Sequence, residues 1–508
     1  MFNNSSWKQL PKWSFLVAYD NPQRFKVLTN RSKLPSGVNR YHPWKEYDTV
    51  VELLHKTKLP VEDIPRYVTL AKKFKRKAVV DNLDTAIISK ITYWDMLYAH
   101  QKQAVAYAIV DYKGRCYLAD DMGTGKTFTA ITILNYLMLQ RPNQIALILC
   151  PASLCKNWNT VVEEKLMCGN VDVFSYDKAK NMAKDLKKKK YHVFIADEAH
   201  GLKDPKTKRY KKLSGMLKKI EFRILLSGTP TVNRANELYS PLSIMYPKIF
   251  KRYRHYNDRY FNMIARKCRL PDELSLILPL FGFIRRTKTQ VLKLPDKVYK
   301  QYPVLVPAAA KDLDDMMKKM VAEENANNPN YLKYLIGEAF HTLGLIKSKS
   351  KTIINLLKDM LVSTEDGRGE NKVVFCFHKA MVECVAKICN ELNLSFDVIN
   401  GETVPKKRAP IIERFQKGEL VVLICSINAA GVGITLTKSN NVIMAESSWV
   451  PGLNQQAVDR CHRIGQTRKV FVDRIHCIRS IDDFIVKCEN SKKRMHTLLM
   501  KKAKESLK

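Results

Sequence analysis

The run Asp120-Asp121-Met122-Gly123-Thr124-Gly125-Lys126-Thr127 ends in Gly-Lys-Thr and lies between an apolar stretch and one of helical periodicity. That arrangement suits phosphate chemistry. Gly123 and Gly125 let backbone N–H groups close around phosphate oxygens, Lys126 reaches the β- and γ-phosphates, and Thr127 offers its hydroxyl to Mg²⁺. The general pattern begins with glycine, and Asp120 stands there instead. A second acidic run, Asp197-Glu198-Ala199-His200, closes the apolar stretch Val193–Ala196. Parallel sheets gather their ligands at the carboxyl ends of strands. Asp197 would hold Mg²⁺ through water there, and Glu198 would orient and deprotonate an attacking water. Together the two runs predict ATP hydrolysis supported by Mg²⁺.

Two further groups fit the same chemistry less specifically. Ser227-Gly228-Thr229-Pro230 follows the next apolar run, and its hydroxyls would touch phosphate or relay the nucleotide state. Arg460 and Arg463 are three residues apart within Gln456–Gln466, a spacing that puts both on one helix face. From a second lobe they would stabilise charge at the γ-phosphate. The plainer alternative is a surface pair bridging Asp459.

The elements that must position these residues alternate. Arg115–Ala119, Ile145–Cys150, His192–Ala196 and Arg223–Leu226 read as strands, with a helix over Lys126–Leu139. Lys372–Phe377, Phe396–Ile399, Leu420–Cys425, Asn441–Met444 and Val470–Ile475 form a second strand set. Such alternation predicts parallel sheets covered by helices, hence an α/β fold with two lobes. The expected organisation is a basic, Trp-containing accessory segment over 1–90, a first ATP-binding lobe over 91–230, helical insertions and a connector over 231–360, a second lobe over 361–480, and a basic helix over 481–508.

Bulk composition excludes other classes. With 508 residues, 45% hydrophobic and 27% charged, the chain has the makeup of a globular protein of about three compact units. No apolar run approaches the ~20 residues that span a bilayer. The N-terminus lacks the pattern of a secretory signal, so the expectation is an intracellular, non-secreted protein. The 12 cysteines include no C-x-x-C pair, which argues against structural zinc. Lys+Arg 87 against Asp+Glu 49 leaves a formal charge of +38. A polyanion such as DNA is the expected partner. Lysines outnumber arginines, which favours phosphate-backbone contact over base reading.

These pieces, in this order, resemble the Swi/Snf-type DNA translocases of helicase superfamily two, from about Tyr98 to Cys488. His100-Gln101 looks like the family's adenine-reading glutamine motif. Asp120–Thr127 matches its own phosphate loop, which also carries Asp at the first position. Cys150-Pro151-Ala152-Ser153-Leu154 with Trp158 resembles the strand-tracking motif, Asp197–His200 the DEAH box, and Ser227–Pro230 motif III. Phe283-Ile284-Arg285-Arg286-Thr287-Lys288, Ser426–Leu436 and Asp459-Arg460…His462-Arg463-Ile464-Gly465-Gln466 are more specific to the family. His378-Lys379 and the compact chain look most like the annealing-helicase, HARP-like branch.

The resemblance implies two RecA-like lobes, each with helical insertions, and a DNA-dependent ATPase. It implies ATP contacts for Gln101, Asp120, Asp121, Met122, Gly123, Thr124, Gly125, Lys126, Thr127, Gly433 and Gln456. Pro151, Ser153, His200, Ser227, Thr229, His378, Ser426 and Thr435 would touch DNA or couple it to the nucleotide. Movement along duplex or forked DNA is the leading expectation. A strand-separating helicase and a catalytically inactive DNA-binding scaffold are the alternatives. Trp158 and Trp449 are the residues that would serve as a strand-splitting wedge, with core packing as their other role. Localisation would follow the DNA: nucleus, nucleoid or viral replication site.

Overall fold

The computed structural model describes residues 15–19, 24–29, 41–43, 47–56, 61–62, 65–228, 230, 235–262, 267–268, 270–322, 329–364, 367–430 and 434–487. The Ser491–Lys508 helix, Thr229 and Gly433 lie outside them. The chain divides into two compact units, the first holding residues 1–121 and 125–287 and the second residues 288–493, with residues 122–124 grouped with the second.

The first unit is built on six strands in the spatial order Phe283–Ile284, Arg115–Leu118, Phe222–Leu226, Val193–Ala196, Ile145–Cys150, Asn170–Ser175. Every pairing is parallel. Val193–Ala196 and Phe222–Leu226 are buried along their whole length. Continuous apolar strands of this kind need cover on both faces. The helix Lys126–Gln140 provides part of that cover and is buried from Thr129 to Met138. No side chain caps its N-terminus, so its first N–H groups are left for a ligand.

The second unit repeats the plan. Its strands run Lys297–Leu305, Val470–Ile478, Asn441–Met444, Lys372–Cys376, Val422–Ser426, Phe396–Ile399, again all parallel. Two RecA-like parallel sheets are therefore present, one in each unit.

Three features depart from the sequence reading. The segment 231–360, expected to be helical, donates a strand to each sheet: Phe283–Ile284 to the first and Lys297–Leu305 to the second. Lys297–Leu305 is a mostly exposed edge strand, which is why it tolerates Pro303 and lacks an apolar signature. Asn170–Ser175 was also missed, because its sequence NVDVFS mixes polar and apolar residues at an edge. Finally, the boundary at residue 90 does not hold. Val50, Leu54, Val68 and Ala71 are buried in the same hydrophobic cluster as Tyr117, Phe194 and Phe283. Arg76 reinforces the junction by donating to Tyr112 Oη at 2.6 Å and to the Phe283 carbonyl. Earlier in the chain, Phe15–Tyr19, Arg24–Thr29, Tyr41–Pro43 and Val61–Glu62 form a separate small sheet. Among the described residues, no helix is long and apolar enough to cross a membrane.

Candidate functional site

The phosphate loop leaves the end of the first unit's Arg115–Leu118 strand and enters the Lys126–Gln140 helix. Gly123 and Gly125 have φ of +77° and +82°, a region that L side chains avoid. A Cβ on Gly125 would also lie 2.2 Å from Gln101 Nε2. Gln101 Nε2 donates to the Gly125 carbonyl at 3.1 Å, and Gln101 Oε1 accepts from the Tyr98 N–H at 2.9 Å. Gln101 thus braces the loop. Lys126 Nζ folds back onto the Asp120 and Asp121 carbonyls, both at 2.9 Å. Burial pulls its pKa below the ordinary lysine value, against Glu198 and Asp120. Thr124 is buried, while Met122 and Thr127 are half-buried.

The two loop aspartates have partners that sequence reasoning missed. Arg286 takes Asp120 bidentately, with Nε and the backbone N–H donating to Oδ1 at 3.1 and 2.7 Å and Nη2 to Oδ2 at 2.5 Å. Arg285 Nη2 donates to Asp121 Oδ1 at 2.5 Å, and its Nη1 to the Gly228 carbonyl at 3.1 Å. Burial alone would raise the Asp120 pKa, yet the Arg286 guanidinium holds it below the usual carboxylate range. The departure from glycine at position 120 therefore belongs to a charge pair with the Phe283–Lys288 signature. Two acids in the loop and two arginines in the signature were the available signal. Their separation of 166 residues hid it.

The acidic run follows the neighbouring-but-one strand, Val193–Ala196. Asp197 Oδ1 accepts from the Glu198 N–H at 2.8 Å, and Oδ2 from Trp158 Nε1 at 2.9 Å. Tyr176 Oη donates to the Asp197 carbonyl at 2.7 Å. Burial and the adjacent Glu198 push the Asp197 pKa up to about 6, with the Trp158 bond opposing. Glu198 adopts φ 48°, ψ 54°, the left-handed region that costs a non-glycine residue on the order of 1 kcal/mol or more. Strain of this kind persists where a side chain must be aimed. Glu198 Oε2 lies 3.2 Å from His200 Nδ1 and 3.5 Å from Ser227 Oγ. His200 and Ser227 are thus assembled around Glu198. Trp158 is 1% exposed and occupied by Asp197, so it packs and positions instead of splitting strands. Pro151 and exposed Ser153 sit just past the carboxyl end of Ile145–Cys150.

The fit to a Mg²⁺–nucleotide can be judged from these groups. Mg²⁺ keeps several waters and takes one or two carboxylates with the substrate's phosphates. One oriented carboxylate, Asp197, and one helix-first-turn hydroxyl, Thr127, meet that requirement. Among the described residues, no cluster of three His, Cys, Asp or Glu could cage a metal alone.

In the second unit, the arginines occupy a turn and not a helix face. The helix Pro451–Val458 ends before them. Arg460 N–H and Cys461 N–H bond back to Ala457 and Val458 at 3.1 and 3.0 Å, and Gly465 has φ +99°. Gln466 Nε2 lies 3.1, 3.0 and 2.9 Å from the Cys461, Thr437 and Ser439 carbonyl oxygens, and its two hydrogens brace the turn against that neighbouring loop. Arg463 Nη1 donates to the Ile434 carbonyl at 3.0 Å and Thr435 Oγ1 at 3.1 Å. Gln456 is buried in the preceding helix. Ser426 Oγ accepts from the Ala429 N–H at 3.2 Å, capping a short helix. His378 Nδ1 lies 2.7 Å from Glu446 Oε1, and its ring packs on Phe340. Trp449 packs on Phe340 as well.

Comparison with known proteins agrees with this architecture. The SNF2-related domain matches residues 100–182 and 160–311, and the helicase conserved C-terminal domain matches residues 349–465. The Caenorhabditis elegans "SWI/SNF-related matrix-associated actin-dependent regulator of chromatin subfamily A-like protein 1 homolog" is 31% identical over 502 residues, covering 91% of this chain and 71% of that protein. Its Xenopus tropicalis counterpart is 29% identical, covering 87% of this chain and 49% of that protein. The human "DNA annealing helicase and endonuclease ZRANB3" is 30% identical, covering 73% of this chain and 37% of its own length. The chain thus spans about half or less of the two vertebrate relatives. From these matches and its two parallel-sheet units, the chain belongs to the Swi/Snf-type family of helicase-like, DNA-dependent ATPases.

Proposed function

We propose that the chain is an ATP-driven motor that moves along duplex or forked DNA without separating its strands. The observation that carries the ATPase part is Glu198, held in a strained conformation beside Asp197, one unit with a phosphate loop pinned by Arg285 and Arg286. When bound, ATP with Mg²⁺ supplies the phosphoanhydride whose cleavage drives the motor. Lys126 would meet the β- and γ-phosphate charge with its ammonium, leaving its two carbonyl partners. Thr127 and Asp197 would hold the metal. Glu198 would orient the attacking water and accept its proton, with His200 and Ser227 beside its carboxylate. Arg460 and Arg463 would stabilise charge that develops on transfer.

The DNA part is supported by charge and by kinship. A +38 chain rich in lysine meets phosphates readily, and backbone contact leaves base pairs intact. Ser153 and the other residues past the strand ends, Pro151, Ser426 and Thr435, would face or sense that track. Similarity to a protein named as a DNA annealing helicase supports work at forked or re-annealing DNA, with the chain located wherever such DNA is. Against a wedge stands the packing of both tryptophans considered for it, Trp158 and Trp449.

The test is paired. A third strand wound on duplex DNA should be displaced when ATP is hydrolysed, whereas a tailed duplex should stay unmelted. Efficient ATP-dependent release of a long complementary strand would make the strand-separating reading the better one.

A further inference from the structure

Lys288 begins the long stretch of the second unit, two residues after Arg286, which pins the phosphate loop. Its ammonium bonds within that unit. Nζ donates to the His462 carbonyl at 2.6 Å and lies 2.9 Å from Asp459 Oδ1. Lys297 Nζ and Gln455 Nε2 share the same carboxylate oxygen at 3.2 and 3.0 Å. Across the turn, His462 Nε2 donates to the Pro295 carbonyl at 2.7 Å. Lys288 and Asp459 are both buried. The segment 288–297 therefore grips the turn at its first residue, Asp459, and at the backbone next to Arg463.

Stability alone does not account for this. A buried ion pair gains little net free energy, because desolvation offsets attraction. What the pair gives is geometry: one compact cation ties a carboxylate to a carbonyl three residues later. An ammonium can do this where a planar guanidinium would demand a fork of acceptors. Only Thr287 separates this anchor from Arg286, whose own anchor is Asp120 in the first unit.

We propose that Lys288, acting with Asp459, is a positioning residue for ATP hydrolysis. It fixes the backbone at His462 so that Arg463 is presented for an incoming anionic phosphate. The proposal rests on the reading of Arg463 as a charge-stabilising group. A misplacement of about 1 Å at such a group costs on the order of 10²-fold in rate.

The experiment uses the full chain with saturating DNA and compares Lys288→Met, Arg463→Ala and the double variant. Methionine keeps the buried stem and removes the ammonium. Lys288→Met should lower kcat by roughly 10- to 100-fold while affinity for a fluorescent ATP analogue stays within about threefold. The double variant should turn over like Arg463→Ala alone, because residues acting as a unit are not additive. If Arg463→Ala turns over like the natural chain, the reading of Arg463 fails and the proposal falls with it. If Arg463→Ala is slow but Lys288→Met is not, or if the two losses multiply, Lys288 does not act through Arg463 and only the proposal is overturned. Should Lys288→Met fail to fold, Asp459→Asn, which keeps the side-chain shape, replaces it under the same criteria.

Discussion

Arg286 in the first unit and Arg463 in the second are both drawn into their folds, and their charges are handled in opposite ways. Arg286 meets a buried carboxylate that it neutralises bidentately. Arg463 rests on neutral oxygens, a carbonyl and a hydroxyl, and among the described residues no carboxylate lies within ion-pair distance of it. Burial pulls its pKa down, with Asp459 opposing more distantly. One arginine therefore completes the phosphate loop's architecture. The other is held in place by neutral oxygens, as the phosphate-stabilising role proposed for it requires.

The comparison can be broken most severely at the loop that Arg286 supports. Lys126→Ala should take ATP hydrolysis below detection, and Glu198→Gln should stop turnover while ATP still binds. Steady-state hydrolysis and nucleotide titration check both, and robust turnover by Lys126→Ala would undo the loop assignment. Next comes the contrast itself. Arg463→Ala should lose ~10³-fold in turnover with little change in melting. Arg286→Ala should instead lose roughly 3–5 kcal/mol of stability, because Asp120 is left buried and unpaired. Denaturant titration and hydrolysis rates measured on both variants would invert the comparison if the two losses were exchanged.

A third cut asks what else the first unit needs. A chain starting at residue 91 loses Leu54 and Val68, each fully buried and worth about 1.5–3 kcal/mol. It should aggregate or melt markedly lower, while a chain starting at residue 47 stays soluble. Equal melting of the two would show that residues 47–90 are dispensable to the first unit's core.

The smallest effect concerns the arginine turn. Burial lowers the His462 pKa, with the Lys297 and Lys288 charges adding to it and the Nε2–H bond to Pro295 opposing, so the folded form favours neutral imidazole. The unfolded chain then binds the proton more readily, and stability is lost as pH falls through and below about 6.5. The contribution is at most about 1.4 kcal/mol per pH unit. Melting between pH 7.5 and 5.5 should fall less for His462→Gln than for the natural chain, and an equal fall would remove His462 from the account.

Much of this is legible in the order of residues alone. Ile145–Cys150 and Asn441–Met444 appear with the expected bounds, because buried parallel strands carry largely apolar runs, and Phe396–Ile399 does so at a sheet edge because three of its four residues are apolar. Glycines at 123 and 125 required positive φ, and both have it. The loop–strand context of Lys126 and Glu198 was likewise written locally. The edge strands Asn170–Ser175 and Lys297–Leu305 are not legible, since polar residues run through both and an edge position tolerates them.

Sequence by itself determined the chemistry available: which residues could grip phosphate, hold a metal or take a proton, and the sheets that carry them. Each of those depends on neighbours within a few positions along the chain. Tertiary structure alone decided how charges are paired. That Arg286 matches Asp120, that Lys288 grips the Asp459–His462 turn, and that Trp158 holds Asp197 all depend on contacts across tens to hundreds of residues. Burial sets the sign of each: a charge removed from water must find a partner or remain a site that binds one.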